Sequence, residues 1–435
     1  MDKAREAAVF ALERFRREKA WTSAIIDGAI TKYGLDPRSA ALASNICIGV
    51  LQNLAYCDHC IDAFSSSPSK IEPKVRDILR CSAYQLLFMD KIPANAAVNE
   101  GVSLCKKLGY SRAAGFCNAV LRKIADSAEN PPEIPKEGTA KYLALKYSHP
   151  LWLAEYMIAA HGYDFAEGFF AANNAVSDIT LQVNTIKTTA SELCAELADA
   201  GYSCRMHPWL PDCIVTSGNV SKMPGFNEGL FYVQDAAAKC TVLAAEIRPG
   251  MGVLDACAAP GGKSFAAAVT MKNQGEIISC DLNRKKIALI ESGAKRLGLD
   301  IINAFSRDAR QPIDGTFDVV IADVPCSGYG VIRKKPDIRY KDPDERLALP
   351  EIQSAILENL SAAVKVGGVL LYSTCTVFRE ENGDVVTAFL SIHPEFTAES
   401  FILPNGAEAA DGMFTFWPHI HGTDGFFVCK LRRLK

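Results

Sequence analysis

The sequence predicts a multidomain chain: an all-α N-terminal bundle, a small α+β module, and a C-terminal α/β domain on a doubly wound, mostly parallel sheet. Three observations carry that reading. Up to about residue 125, apolar residues recur at helical spacing without sustained strand alternation. Short strand-like and helical runs then mix as far as Asp235. From Ala236 strands and helices alternate regularly, the pattern of a parallel sheet with crossover helices. A chain of 435 residues, 49% of them hydrophobic, is too long for one core and can fill several.

The helical region is drawn at residues 1–128. Val75, Ile78, Leu79, Ala83, Leu86 and Leu87 share one face, and Leu104 and Leu108 continue the spacing to a break at Gly109-Tyr110-Ser111. Phe116, Val120 and Leu121 resume it, so roughly five to seven helices are expected. Cys57 and Cys60 form a single C-x-x-C around His59; no second pair follows at zinc-ligand spacing, so they read as ordinary cysteines and no metal is expected. Residues 129–140 read as a linker, because the prolines of Asn130-Pro131-Pro132-Glu133-Ile134-Pro135 sustain neither helix nor central strand. The module, residues 141–235, opens with a helix near Leu151. It continues with a strand at Ile179–Asn184, a helix at Ala190–Ala200, and short strands at Cys213–Thr216 and Gly229–Val233. In the last domain, residues 236–435, strands are expected at Gly252–Ala256, Glu276–Asp281, Ile302–Phe305, Phe317–Asp323, Gly368–Ser373 and Phe426–Leu431.

Composition excludes some classes. No apolar run reaches the length of a membrane span, and Met1-Asp2-Lys3-Ala4-Arg5-Glu6 lacks the apolar stretch of a secretory signal, so a soluble cytoplasmic protein is expected. Fifteen scattered cysteines do not form the framework of a small secreted domain. A net charge of −3 is not the footprint of a basic nucleic-acid binder. Positive charge is nevertheless clustered at Arg284-Lys285-Lys286, Arg333-Lys334-Lys335 and the tail from Lys430.

The turn Asp255-Ala256-Cys257-Ala258-Ala259-Pro260-Gly261-Gly262-Lys263-Ser264 joins the first strand of the last domain to its helix. A P-loop needs glycine where Cys257 stands, and a dinucleotide fingerprint is absent. Paired glycines and a helix N-terminus suit a carboxylate or amino-acid group instead. Asp281 ends the next strand, where an acid accepts from ribose hydroxyls. Asp308, after the third strand, is placed for an adenine amino group. A carboxylate, a ribose and an adenine together describe S-adenosylmethionine. Its expected contacts are Cys257, Ala258, Ala259, Pro260, Gly261, Gly262, Lys263, Asp281, Asp308 and Asp323.

Cys326, in Asp323-Val324-Pro325-Cys326, and Cys375, in Ser373-Thr374-Cys375-Thr376, each follow a strand at the sheet edge where ligands bind. Two soft nucleophiles there, one beside a carboxylate, point to covalent chemistry on an electron-poor ring. Spacing alone does not say which sulfur attacks.

These strings resemble the RNA cytosine-5 methyltransferases of the Sun family. The resemblance rests on Asp255-x-Cys257-Ala258-Ala259-Pro260-Gly261-Gly262-Lys263, Asp323-x-Pro325-Cys326-Ser327-Gly328-x-Gly330 and Tyr372-Ser373-Thr374-Cys375-Thr376. Val233-Gln234-Asp235, Glu381-Asn382 and Asp424-Gly425-Phe426-Phe427 also match. The helical part, with Asn118-Ala119-Val120-Leu121-Arg122, is similar to the NusB-like RNA-binding domain fused to bacterial 16S ribosomal RNA methyltransferases. The resemblance implies methylation of a cytosine carbon 5 in RNA, with Cys375 as nucleophile and Cys326 assisting breakdown of the adduct. DNA cytosine methyltransferases attack from the Pro-Cys motif and lack the Thr-Cys partner. A thiolate adding at carbon 6 makes carbon 5 nucleophilic, and sulfur also leaves readily. Lys263 near the cofactor's sulfonium favours the thiolate, and Asp323, if burial keeps it protonated, donates to ring nitrogen N3. Arg333, Lys334, Lys335 and Arg339 are expected to grip flanking phosphates. Gln182, where relatives commonly have Arg, puts one RNA-backbone contact in doubt, and Val324 stands where Ala is usual. The competing readings are a transfer-RNA target, a non-catalytic RNA-binding factor in ribosome assembly or transcription, and a P-loop nucleotidase.

Overall fold

Periodic apolar residues and well-placed caps build helices along the N-terminal third of the chain. The computed structural model describes residues 2–18 and 22–435. It divides into two units, one running to Ala175 and including Lys334–Tyr340, the other made of Val176–Arg333 and Lys341–Lys435.

The first unit is helical: α1 (Lys3–Glu18), α2 (Thr22–Tyr33), α3 (Pro37–Gln52), α4 (Leu54–Ala63), α5 (Pro73–Phe88), α6 (Ala94–Lys107), α7 (Ala114–Asp126), α8 (Ala140–Lys146), α9 (Leu151–His161) and α10 (Tyr163–Asn174). Asp36 caps α3, its Oδ1 accepting from the Arg38 and Ser39 amides, and Pro37 takes the first helical position. Ala8 and Leu12 of α1, Ile46 and Val50 of α3, Ile78 and Leu79 of α5, and Val120, Leu121 and Ile124 of α7 share one core. Cys57 and Cys60 are buried on α4, and burial pushes the Cys60 thiol up to about 11. No single helix among the described residues is long and apolar enough to cross a membrane. The sequence draws 141–235 as one module, whereas α8, α9 and α10 group with the first unit.

Arg339 overturns one expectation. It is not offered to phosphates: only 2% of it is exposed. Its guanidinium donates to the carbonyls of Gln52, Tyr147, Ser148 and Asn173 and to Asn174 Oδ1 at 2.6–3.3 Å. These acceptors lie at the C-terminal ends of α3, α8 and α10, where carbonyls lack helical partners and the dipole is negative. A planar fork of five donors suits three converging helix ends. Beside it, Tyr340 donates its hydroxyl to Leu51 O at 2.5 Å.

The second unit opens with the small module: β1 (Ile179–Val183), α11 (Ala190–Asp199), β2 (Cys204–Met206), β3 (Cys213–Thr216) and β4 (Phe231–Val233). The sheet is antiparallel, in the order β2-β3-β1-β4. Thr189 and Glu192 form a capping box at the start of α11. Gln182 is fully buried, donating to Gln234 O and accepting from Cys213 Sγ, so it serves the interior of the module.

The larger domain contains α12 (Ala236–Ala244), β5 (Gly252–Asp255), α13 (Gly262–Thr270), β6 (Glu276–Asp281), α14 (Arg284–Leu297), β7 (Ile302–Ser306) and β8 (Phe317–Asp323). It continues with α15 (Leu349–Ser361), β9 (Val364–Thr374), α16 (Gly383–Ile392), β10 (Phe396–Ala398), β11 (Phe401–Ile402), β12 (Glu408–Ala409), β13 (Met413–Phe416), α17 (Pro418–His421) and β14 (Phe426–Arg433). The strand order is β10-β14-β9-β8-β5-β6-β7, with β13 also on β14. The run β9-β8-β5-β6-β7 is parallel, and β14 enters antiparallel beside β9. Between β5 and β8 the order reverses, which opens the crevice where ligands of such sheets bind.

Candidate active site

Strand register brings the two cysteine loops together. β8 and β9 are parallel neighbours with Asp323 opposite Ser373, so both chains leave the sheet at the same edge. Cys326 Sγ and Cys375 Sγ lie 3.2 Å apart, and the Cys375 amide donates to Cys326 Sγ at 3.3 Å. Both cysteines are half-buried. The Cys326 thiol is held well above the ordinary cysteine range, first by its hydrogen bond with Cys375, then by burial and the carboxylates of Glu381 and Asp323. The two sulfurs are close enough to share one proton, and the geometry alone does not say which of them attacks.

The loop after Cys326 is fixed by glycine. Gly330 N donates to Cys375 O and Gly425 N donates to Gly330 O. A Cβ on Gly330 would lie 1.9 Å from Gly425 O, so only glycine permits this approach. The string before β14 is thereby packed against both cysteine loops.

The β5–α13 turn occupies the same edge. Gly261 has φ +111, and a Cβ there would meet the Phe265 ring at 2.4 Å. Ala258 N donates to Cys280 O, while Ala259 N donates to Asp281 Oδ2 at 3.2 Å. Ala258 and Gly261 are buried; Cys257, Ala259 and Gly262 are half-buried; Pro260 is exposed. Burial pushes the Cys257 thiol up. Asp255 is fully buried; its Oδ2 accepts from Ser264 Oγ at 2.7 Å, and burial pushes its acid up to about 7.

Lys263, 6% exposed, reaches Asp323 Oδ2 at 2.6 Å and lies 4.8 Å from the Phe426 ring centroid. Ser373 Oγ donates to Asp323 Oδ1 at 2.9 Å. The sequence expects burial to favour a protonated Asp323; the side chain instead keeps 31% of its surface exposed and stands as half of an ion pair. Further along the edge, Asp281 Oδ1 accepts from Asn283 N, and Leu282 and Phe305 present exposed apolar side chains at the ends of β6 and β7. Both oxygens of Asp308 are taken by Arg310, which holds its acid below the usual range.

Glu381 carries contacts that spacing did not foretell. Only 1% exposed, it accepts from Ser327 N and Oγ and from Gln353 Nε2. Its neighbour Asn382 accepts from Thr374 Oγ1. The string Glu381-Asn382 was visible as a motif, but nothing in the sequence gave it a partner.

A glycine-rich turn at the sheet's switch point, beside two thiols on adjoining strand ends, defines an α/β methyltransferase domain. Comparison with known proteins narrows the class. Residues 2–126 match the NusB family, residues 149–221 the ferredoxin-like domain of RsmF/B-like methyltransferases, and residues 242–432 the 16S rRNA methyltransferase RsmB/F family. The chain is 36% identical over 441 residues to the probable ribosomal RNA small subunit methyltransferase B of Bacillus subtilis (strain 168), across 99% of this chain and 98% of that one. It is 34% identical to ribosomal RNA small subunit methyltransferase B of Vibrio cholerae serotype O1, across 87% and 89%. The solved structure of PH0851 superposes with a TM-score of 0.81 at 28% identity, covering 100% of this chain and 99% of that one. A methyltransferase homologue from Pyrococcus horikoshii gives 0.59 at 26%, covering 67% and 98%. The chain belongs to the RsmB/F family of rRNA methyltransferases.

Proposed function

We propose that the protein methylates carbon 5 of a cytosine in small-subunit ribosomal RNA, with S-adenosylmethionine as donor, through a covalent bond from Cys375 Sγ to carbon 6. One observation carries the reading: two half-buried thiols 3.2 Å apart at the switch-point edge, one of them held protonated. The names of its relatives supply the ribosomal substrate.

The edge fits the donor. The start of α13, with Gly261, Gly262 and Lys263, suits its carboxylate; Asp281 suits the ribose; Leu282, Phe305 and Asp308 border the place for an adenine. Asp255, with one buried oxygen unmatched, backs the turn. When bound, S-adenosylmethionine supplies an electrophilic methyl group.

Every other step belongs to the chain. The Cys375 thiolate adds to carbon 6, and the freed electron pair makes carbon 5 a nucleophile for the methyl. Lys263 supplies positive charge and passes a proton toward Asp323, which donates to N3 as charge develops there. A base beside Cys326 then takes the carbon 5 proton, the carbon–sulfur electron pair returns to Cys375 as thiolate, the added N3 proton goes back to Asp323, and the ring regains its aromaticity. The cytosine reaches the thiols unstacked; Arg333, expected on a phosphate, is instead turned into the fold, 11% exposed and donating to Gly422 O beside Asp424. Bisulfite sequencing of total RNA from a deletion strain tests the substrate. A protected cytosine in 16S rRNA should become convertible; a change confined to transfer RNA contradicts the reading.

A further inference from the structure

Glu381 sits where neither cysteine loop could be released without disturbing the other. Its Oε2 accepts from Ser327 N at 2.9 Å and Gln353 Nε2 at 3.0 Å, while its Oε1 accepts from Ser327 Oγ at 2.5 Å and Thr376 Oγ1 at 3.5 Å. Ser327 follows Cys326 and Thr376 follows Cys375, so one carboxylate is bonded next to both sulfurs. The same Gln353 amide also donates to Pro325 O at 3.1 Å, on the other side of Cys326. Ser327 Oγ and Thr376 Oγ1 lie 2.8 Å apart, closing the ring of contacts. The acid is itself pinned, because Tyr372 donates its hydroxyl to Glu381 O at 2.6 Å and Asn382 Nδ2 donates to Thr376 O at 3.2 Å.

We propose that Glu381 is a positioning residue, holding the Cys326 and Cys375 loops so that the two sulfurs stay within reach of one cytosine. The proposal rests on the reading of these cysteines as the reacting pair. A carboxylate accepts at both oxygens; an amide of the same shape keeps an acceptor for Ser327 N and Gln353 Nε2 but loses the charge and turns its N–H₂ on the two hydroxyls, which must reverse to accept. Buried hydrogen bonds to an ionised group are the strong ones, and an unmatched donor in their place is costly.

The test is Glu381→Gln in the full chain, read in three ways. Phenylarsine oxide, which bridges two thiols only when they are close, reports the Cys326–Cys375 spacing by peptide mass mapping. A Cys194→Ser background removes another thiol pair at 2.7 Å. S-adenosylhomocysteine affinity reports the cofactor edge, and steady-state kinetics on a 16S rRNA transcript separates kcat from KM. The expected result is bridging slowed by about ten-fold or more, the factor carried by one lost hydrogen bond to a charged group. With it, kcat should fall while cofactor affinity and KM hold. Glu381→Asp, which keeps the acceptor, should recover part of both bridging and kcat. Bridging at the unsubstituted rate overturns the proposal. So does slow bridging accompanied by lost cofactor binding, since Glu381 would then only support the fold. Slow bridging with full activity keeps the clamp and instead removes the two cysteines from the chemistry.

Discussion

Of the thiol pairs in contact in this chain, which include Cys194 and Cys204 in the small module, two make an instructive contrast. On α6 and α7, Cys105 and Cys117 lie 3.0 Å apart and fully buried, among apolar side chains of the helical core. At the ends of β8 and β9, Cys326 and Cys375 lie 3.2 Å apart, half-buried, on loops laced by Glu381, Gln353 and Thr376 and near an ion pair between Lys263 and Asp323. Proximity is therefore not what makes sulfur reactive. The helical pair fills space as small hydrophobes do; the loop pair is half-exposed at the ends of two strands, with charged and hydrogen-bonding side chains around it.

That contrast predicts opposite outcomes for the same kind of substitution. Cys375→Ala should lower methyl transfer by on the order of 10⁴-fold or more, the scale on which loss of a covalent nucleophile acts. S-adenosylhomocysteine binding, measured by calorimetry, should not change. Cys117→Ala should leave the rate alone and cost only about 1–2 kcal/mol of stability through a small cavity. A Cys375→Ala enzyme that turns over normally would erase the distinction.

The two units also differ in the charge they bury. Asp255 in the second unit is pushed up to about 7 from its usual 3.8, so the folded state holds a proton that the unfolded chain has lost. Between those values folding binds a proton, and the stability this group contributes falls as pH rises, by at most about 1.4 kcal/mol per unit. Asp255→Asn mimics the protonated acid and removes that fall. The variant should match the unsubstituted protein near pH 4 and exceed it near pH 8 by up to about 4 kcal/mol; parallel unfolding curves across that range would contradict it.

In the first unit burial lowers the Arg339 guanidinium to about 10, still high enough to stay charged at neutral pH against its carbonyl partners. Arg339→Met strands those acceptors and should cost about 3 kcal/mol in denaturant unfolding. A loss under about 0.5 kcal/mol would mean that water replaces the guanidinium freely.

What the sequence revealed follows from how each feature is encoded. Runs such as Phe317–Asp323, with its Val319-Val320-Ile321-Ala322 centre, and Glu276–Asp281, with its Ile277-Ile278 pair, are legible as strands, and the structure keeps both boundaries. β2 and β10, three residues each, are too short for their alternation to stand out from chance. The cysteines were legible because each sits just past such a run. Their meeting depends on β8–β9 register, which no local pattern states. Arg339 was misread because a cation in a basic stretch looks like a phosphate ligand, while its acceptors come from three helix ends far away in the chain. Glu381 lies in a legible motif, but its role is not written locally, since its partners Ser327 and Gln353 lie on other elements.

Sulfur chemistry at the paired strand ends is read directly by a denaturing gel. With a 16S rRNA transcript and S-adenosylmethionine, Cys326→Ala should accumulate a slow-migrating protein–RNA band, and Cys326→Ala combined with Cys375→Ala should show none. A band that survives in the double variant, or no band in either, would contradict covalent attack by Cys375.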